Sequence, residues 1–279
     1  MIGAISAELL KLRKSWGTWI LGGVLVLGLF LLGYLLIYLL VQNPPPGGDG
    51  GARQGIAALK ATLLPKNVVP NVIGFLAGLG GPIALVIGAL NSAREYSLRT
   101  ITAILTQRPS RLGLLGAKMV ALAILLGILA VACFAVGVVG SLLVAALDGT
   151  PGSLPSILEI GKGAAASWLI LGAWAALGFA LGMVLRSTGL AIGLGLVYAL
   201  VIETVISALG FALDAFESVS HGLLGRNGSA LADAFGQLNV NGGPGAAVNP
   251  PSTAAFVLAA YVIGSLLVAA AFFIRRDVT

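Results

Sequence analysis

The stretch Trp16–Val41, WGTWILGGVLVLGLFLLGYLLIYLLV, contains no charged residue and consists mostly of Leu, Val, Ile and Gly. A helix needs about 20 such residues to cross about 30 Å of hydrocarbon, and this run exceeds that length. It also exceeds the apolar core of about 7–15 residues found in signal peptides, and no small-residue cleavage site stands out. The sequence therefore predicts a retained first transmembrane helix.

The composition excludes an ordinary soluble domain. Of the 279 residues, 58% are hydrophobic and 9% are charged, whereas a soluble domain carries about 25% charged residues. The net charge of +6 does not require a nucleic-acid partner, because Lys and Arg gather on the cytoplasmic side of membrane proteins. We expect the protein to be surrounded by membrane lipid and to bind no nucleic acid. The one cysteine, Cys133, excludes an internal disulfide and a multi-cysteine metal site.

Six long apolar segments predict an all-α integral membrane protein with six transmembrane helices, in one membrane domain over residues 1–279. When the connections are assigned to alternate sides, eleven of the sixteen Lys and Arg residues share a side with both termini. This bias predicts cytoplasmic termini and a location in the inner (plasma) membrane. The predicted segments are Trp16–Val41, Pro70–Asn91, Ala117–Leu147, Gly163–Leu185, Gly189–Gly210 and Ala254–Ile274.

The first residues, 1–15, predict a separate amphipathic helix. Apolar residues stand at positions 2, 5, 9 and 12, and charges at 8, 11 and 14 fall on the opposite face. Such a helix would lie flat in the headgroup layer, with Trp16 and Trp19 at the interface. The alternative is a simple cytoplasmic extension of the first span.

Two segments on the predicted outer side are long enough to be structured. Residues 42–69 open with Pro and Gly and then predict a short helix, Ala52–Leu64, which Pro65 stops. Residues 211–253 are too polar to span and too apolar for a plain loop, so we expect a half-inserted helical hairpin. It contains the one histidine, His221, which we expect at a surface. The triplet that begins at Asn227 matches a glycosylation sequon, a pattern that often arises by chance.

Glu203 is an ionisable residue within a predicted span, where a charge is costly and indicates function. It lies about 17 residues past Arg186, or about 25 Å along a helix, in the outer third of the membrane. Our hypothesis is that Glu203 faces a substrate pathway or the seam between two copies. The alternative is a carboxylate solvated at the outer interface. Glycine pairs four residues apart predict close helix packing, within one chain or between two: Gly74 and Gly78, Gly178 and Gly182, Gly189 and Gly193.

No constellation of catalytic residues occurs in the sequence. A single histidine cannot build a His-rich metal site, and the phosphate-binding motif G-x-x-x-x-G-K-[ST] does not occur. We therefore expect no enzyme activity, no metal and no bound cofactor in this chain.

Residues 94–111, REYSLRTITAILTQRPSR, form the one strongly charged stretch and lie between the second and third spans. Glu95 suits the first turn of a helix, where the dipole is positive. Apolar residues at 98, 101, 104 and 105 form one stripe, and Arg108 precedes the proline that ends the helix. The pattern predicts an amphipathic cytoplasmic helix.

This loop resembles that of the permease subunit of type-2-class ABC exporters. In that family the second span is followed by an acidic residue, a Thr-containing helix, a Pro-Ser-Arg-like turn and a Lys before the third span. The counterparts here are Glu95, Thr100, Leu105, Pro109-Ser110-Arg111 and Lys118. The layout of an N-terminal amphipathic helix, six spans and a long segment before the sixth is also similar. The departure is residues 97–99, where relatives often carry a Gly just before the Thr.

The resemblance implies a pairing with a second copy of the chain, or a homologous permease, and with two copies of a separate ATPase that binds ATP and Mg. The charged loop would then be a coupling helix that docks in a groove of the ATPase. Its apolar stripe would supply the anchors and its charges the rim. The implied coupling residues are Arg94, Glu95, Leu98, Arg99, Ile101, Leu105, Arg108 and Arg111.

The resemblance also implies efflux of a lipophilic drug, peptide or lipid-like substrate between two permease copies, as in a multidrug exporter. A second hypothesis is a non-transporting six-span anchor, an immunity or signalling component that holds an ATPase-like partner. A membrane-embedded enzyme is disfavoured, because the spans contain no clustered Asp, Glu, His or Cys.

Overall fold

A computed structural model describes residues 2–43, 50–97, 111–149, 152–236 and 249–275. The described residues form helices and no strand, and six of the helices are long and apolar enough to cross a membrane. The predicted fold class is therefore confirmed. We number these helices as spans 1 to 6: Trp16–Gln42, Pro65–Ala93, Leu112–Leu147, Ile157–Leu185, Thr188–Gly210 and Pro251–Arg275.

Within the described residues, four further helices lie at the two ends of the bundle. The terminal end, where span 1 begins and span 6 ends, carries the N-terminal helix. The far end, where span 1 ends and span 2 begins, carries the other three. At the far end, the carboxylate of Asp148, which follows span 3, lies 3.0 Å from Lys60 Nζ. Lys60 belongs to the helix Gly50–Leu63, which we call the first far helix. The four helices are Ile2–Lys14, Gly50–Leu63, Asp214–Ser220 and Leu224–Asp233.

Spans 2 and 4 form the centre of the bundle, and glycines allow their backbones to touch. A Cβ atom on Gly88 would overlap the Ala175 carbonyl oxygen, and one on Gly178 would overlap the Leu85 carbonyl oxygen. Gly182 lies in the same way against the Ser92 hydroxyl. The close packing predicted for the pair in span 4 is thus confirmed.

Three glycines of the other predicted pairs make no close contact with the described residues of this chain. A Cβ atom on Gly78, Gly189 or Gly193 would meet no atom within 4 Å. Small-residue spacing marks a helix face without naming its partner, so for these positions the predicted close packing, within one chain or between two, stays a prediction.

Spans 1, 2 and 5 each contain a single π-helical turn, at Leu31–Leu35, Leu76–Gly80 and Tyr198–Ile202. Such a turn inserts an extra residue and rotates the helix face beyond it. In span 1 the turn carries Tyr34, which is buried against Gly140 of span 3. A uniform helical period could not have predicted these rotations.

We expect Gly178→Val to destabilise the bundle, because the added side chain would force spans 2 and 4 apart. Overpacking of this kind costs about 1–3 kcal/mol. The measurement is the thermal unfolding of the purified chain in detergent, followed by size-exclusion chromatography. The matched control is Gly189→Val, where the new side chain meets open space. Equal stability of the two variants would contradict the contact.

Candidate functional site

The structure describes only the borders of the predicted coupling helix. Arg94 and Glu95 lie in the last turns of the helix Gly81–Ser97, which continues span 2, and Arg111 opens the helix that contains span 3. Residues 98–110 lie outside the described residues. This segment contains the other predicted coupling residues, Leu98, Arg99, Ile101, Leu105 and Arg108. The described helix thus includes Arg94 and Glu95. The coupling helix predicted for residues 94–111 stays a prediction.

A buried ion pair fixes the N-terminal helix to span 3. The Nζ atom of Lys118 lies 3.2 Å from Glu8 Oε2, and both side chains are almost completely buried. Lys11, which is half exposed, lies 2.7 Å from the other carboxylate oxygen. Ala4 and Leu12 are buried on the same stripe of the helix. Glu8 was predicted on the charged face and instead points at the protein, because span 3 offers it a cation.

The N-terminal helix is a separate element and does not continue span 1. Ser15 adopts an extended backbone conformation between the two helices. The Trp19 indole bridges this break by donating a hydrogen bond of 2.6 Å to the Arg13 carbonyl oxygen. Trp16 and Trp19 are largely exposed in the chain. The position of this helix in the headgroup layer stays a prediction.

Glu203 of span 5 is buried against the helix Leu224–Asp233 at the far end of the bundle. Its two carboxylate oxygens accept the Gly225 N–H at 3.0 and 2.9 Å. Leu224 N–H and the Tyr198 hydroxyl are its further hydrogen-bond partners. Leu224 opens the helix Leu224–Asp233, so the carboxylate meets backbone donors that have no partner within that helix, at the positive end of its dipole.

Glu203 therefore acts as a helix cap supplied by a transmembrane helix. Only 7% of the residue is exposed, so the alternative of a solvated carboxylate was wrong. Its role in a substrate pathway or a dimer seam stays a prediction. The sequence showed the charge within the span but gave no sign of its partner, because helix termini in loop segments are hard to place.

The helices Asp214–Ser220 and Leu224–Asp233, which we call the far-end hairpin, are connected to the start of span 6 by two asparagines. Asn227 is fully buried and donates to the His221 and Leu223 carbonyl oxygens at 2.8 and 2.7 Å. Asn249 donates to the Asn227 amide oxygen and to the His221 carbonyl oxygen, both at 2.8 Å. The glycosylation match at Asn227 is thus a structural asparagine, inaccessible to a glycan. Tyr261 of span 6 adds a bond of 3.0 Å to the Gly222 carbonyl oxygen.

The polar side chains at this end serve the packing of the hairpin. His221 is part of the asparagine network, since its Nδ1 lies 2.8 Å from Asn249 Oδ1. Arg226 donates to the Ser220 hydroxyl at 2.6 Å, and burial lowers the pKa of its guanidinium while the Glu217 carboxylate opposes that shift. Among the described residues, no group of three His, Cys, Asp or Glu side chains could hold a metal ion.

A protein-family model described as ABC-2 family transporter protein matches residues 4–278. The match includes the N-terminal helix from residue 4 onward, all six spans and residues 98–110. No curated protein matches the chain.

We expect Glu8→Ala to destabilise the terminal end, because it leaves the Lys118 ammonium buried without this carboxylate. Removal of one partner of a buried pair costs about 3–5 kcal/mol. Thermal unfolding in nanodiscs measures the effect. The double variant Glu8→Leu, Lys118→Met should recover most of the loss, whereas Lys14→Ala, at an exposed position, should change little. A double variant no more stable than Glu8→Ala would contradict the pair.

We expect Glu203→Leu to loosen the start of the helix Leu224–Asp233, because its first N–H groups lose a charged acceptor. Such hydrogen bonds contribute about 1.5–3 kcal/mol, so the amides at 224 and 225 should exchange about 10- to 150-fold faster. Hydrogen-exchange mass spectrometry measures the rate. Glu159→Gln is the control, because Glu159 forms a capping box with Ser156 on another helix. Unchanged exchange in Glu203→Leu would exclude the capping role.

Proposed function

The chain belongs to the ABC-2 transporter family as its membrane-embedded permease subunit, and we propose that it carries out ATP-driven export. The family match over residues 4–278 is the observation that carries this proposal. The six spans supply a membrane body, and the sequence contains no phosphate-binding loop. ATP and Mg would therefore bind to a separate ATPase subunit.

The proposed assembly contains two permease chains and two ATPase chains. The second permease is another copy of this chain or a homologue. Each permease would lie in the inner (plasma) membrane. Its terminal end would face the cytoplasm, in agreement with the distribution of Lys and Arg residues. The ATPase would contact this end, where spans 2 and 3 are joined by residues 98–110.

Residues 98–110, with the borders at Arg94, Glu95 and Arg111, would form the coupling helix. The apolar side chains Leu98 and Ile101 would anchor it in the ATPase, since buried apolar anchors usually carry most of the energy of an interface. Span 3 begins directly after this segment, and the ion pair of Lys118 with Glu8 fixes the N-terminal helix to it. A push on the loop would thus reach the N-terminal helix and span 3 together.

The substrate would be lipophilic, such as a drug, a peptide or a lipid-like molecule. In the described part of the chain, the buried charges of Glu8, Lys118 and Glu203 all bond within the protein. An interior with its charges occupied in this way suits an uncharged or amphipathic substrate more than a small ion.

We expect Leu98→Asp and Ile101→Asp to abolish ATP-dependent transport while the membrane body stays folded, because each places a charge in the apolar stripe. Co-purification with an ATPase encoded beside this chain, then ATP hydrolysis and transport in proteoliposomes, measures the coupling. Ala103→Asp is the matched control, since position 103 faces away from the stripe at about 100° per residue.

Intact coupling in Leu98→Asp and Ile101→Asp would argue against the docking assignment. A wild-type complex that hydrolyses ATP and moves none of a panel of lipophilic substrates would favour the non-transporting anchor. A chain that never binds the ATPase would overturn the proposed assembly.

A further inference from the structure

A cleft of about 280 Å³ lies between spans 1 and 2 at the far end of the bundle. Its inner end is closed where the two helices meet, since a Cβ atom on Gly28 would lie 3.5 Å from the Phe75 ring. Beyond this contact the helices separate, and the first far helix forms part of the mouth. The cleft is lined by Leu32, Gly33, Ile37, Thr62, Asn67, Pro70, Asn71, Gly74, Phe75 and Leu79.

The polarity of the cleft changes along the membrane normal. Thr62 and Asn67 lie at the mouth, Asn71 follows one turn deeper, and Phe75 and Leu79 lie toward the middle of the bundle. The 12 residues from Asn67 to Leu79 correspond to about 18 Å of helix at 1.5 Å per residue. This is roughly the depth of one leaflet, or half of about 30 Å of hydrocarbon. The cleft therefore has the length and the polarity gradient of one lipid chain with its head at the mouth.

The polar groups of the cleft favour a head with hydroxyl groups, which both donate and accept hydrogen bonds. The amide of Asn67 donates a hydrogen bond of 2.7 Å to the Ala61 carbonyl oxygen, and the Thr62 hydroxyl donates one of 2.7 Å to the Leu59 carbonyl oxygen. The Asn71 amide donates to the Gly33 carbonyl oxygen across the cleft at 3.3 Å. Each of the two asparagine bonds uses one of the two N–H groups of its amide, so the amide oxygen can accept from a ligand hydroxyl and the second N–H can donate to the same hydroxyl.

The lining and the volume of the cleft also disfavour a ligand with a charged head group or more than one hydrocarbon chain. None of the described residues that line it is charged, so a phosphate or an ammonium head would find no counter-charge. Its volume is near the lower limit of ligand pockets, about 300–1,000 Å³, which suits one hydrocarbon chain. Both walls carry a π-helical turn, at Leu31–Leu35 and Leu76–Gly80, a feature frequent at functional sites.

We propose that this cleft binds one single-chain lipid from the leaflet at the far end, with an uncharged head that carries hydroxyl groups. The hydroxyls donate to the amide oxygens at the mouth, and the chain lies along Leu32, Phe75 and Leu79. This lipid is a resident of the permease body, so the proposal goes beyond export and does not depend on it.

Photolabelling of the full chain in nanodiscs tests the proposal. The probe is a monoacylglycerol with a diazirine near the end of its chain, used without ATP or ATPase. We expect label on residues 32–37 and 71–79, displaced by an excess of unlabelled monoacylglycerol. A methyl ester of the same chain, which has no donor, and the corresponding phosphatidic acid should label these residues about tenfold less.

Two variants fill the cleft from different walls. Gly33→Leu and Leu79→Trp should each reduce labelling of the cleft about tenfold, and Leu79 is half exposed, so a larger side chain there leaves the bundle core intact. The matched control is Gly264→Leu, where the new side chain meets open space on span 6. Even labelling of all spans, labelling unchanged by both filling variants, or equal labelling by the methyl ester or the anionic probe would overturn the proposal.

Discussion

The fold depends on direct contact between the backbones of spans 2 and 4. Gly88 and Gly178 bring each helix against a carbonyl oxygen of the other, so both helices lose the freedom to slide or rotate. In lipid there is no hydrophobic drive between helices, and close packing of small residues takes its place. Spans 1, 3, 5 and 6 are arranged around this pair, with spans 5 and 6 the most exposed. The central pair is thus the rigid frame of the bundle.

The two ends of the bundle are held by different chemistry, which involves spans 3 and 5. At the terminal end, the buried pair of Glu8 and Lys118 joins a helix at the edge of the bundle to span 3. A buried ion pair contributes little net stability by itself, but the loss of one partner is costly. At the far end, Glu203 and Asn227 bond to backbone groups of a hairpin. One end is therefore held by a buried ion pair, and the other by hydrogen bonds to backbone groups.

Hydropathy predicted the six spans because lipid excludes charge over about 20 residues, a constraint that is visible in any single sequence. The family followed from a few residues around the loop at 94–118, and the match over residues 4–278 confirmed it. The contacts of individual side chains could not be predicted in this way. Glu8 and Lys118 are 110 positions apart, and Glu203 and Gly225 are joined only after the chain reverses direction. The π-helical turns rotate helix faces without leaving a mark in composition.

The cap on the helix Leu224–Asp233 has a consequence for biogenesis. Gly225 follows Glu203 by 22 positions, so the carboxylate leaves the ribosome before the backbone donor that it binds. During that interval the carboxylate has no backbone donors to bond, and a charge at that depth is costly. We therefore expect the hairpin to hold span 5 at its final depth once it has docked. A chain truncated between positions 203 and 225 would lack this donor, and we expect its fifth span to be less stably inserted.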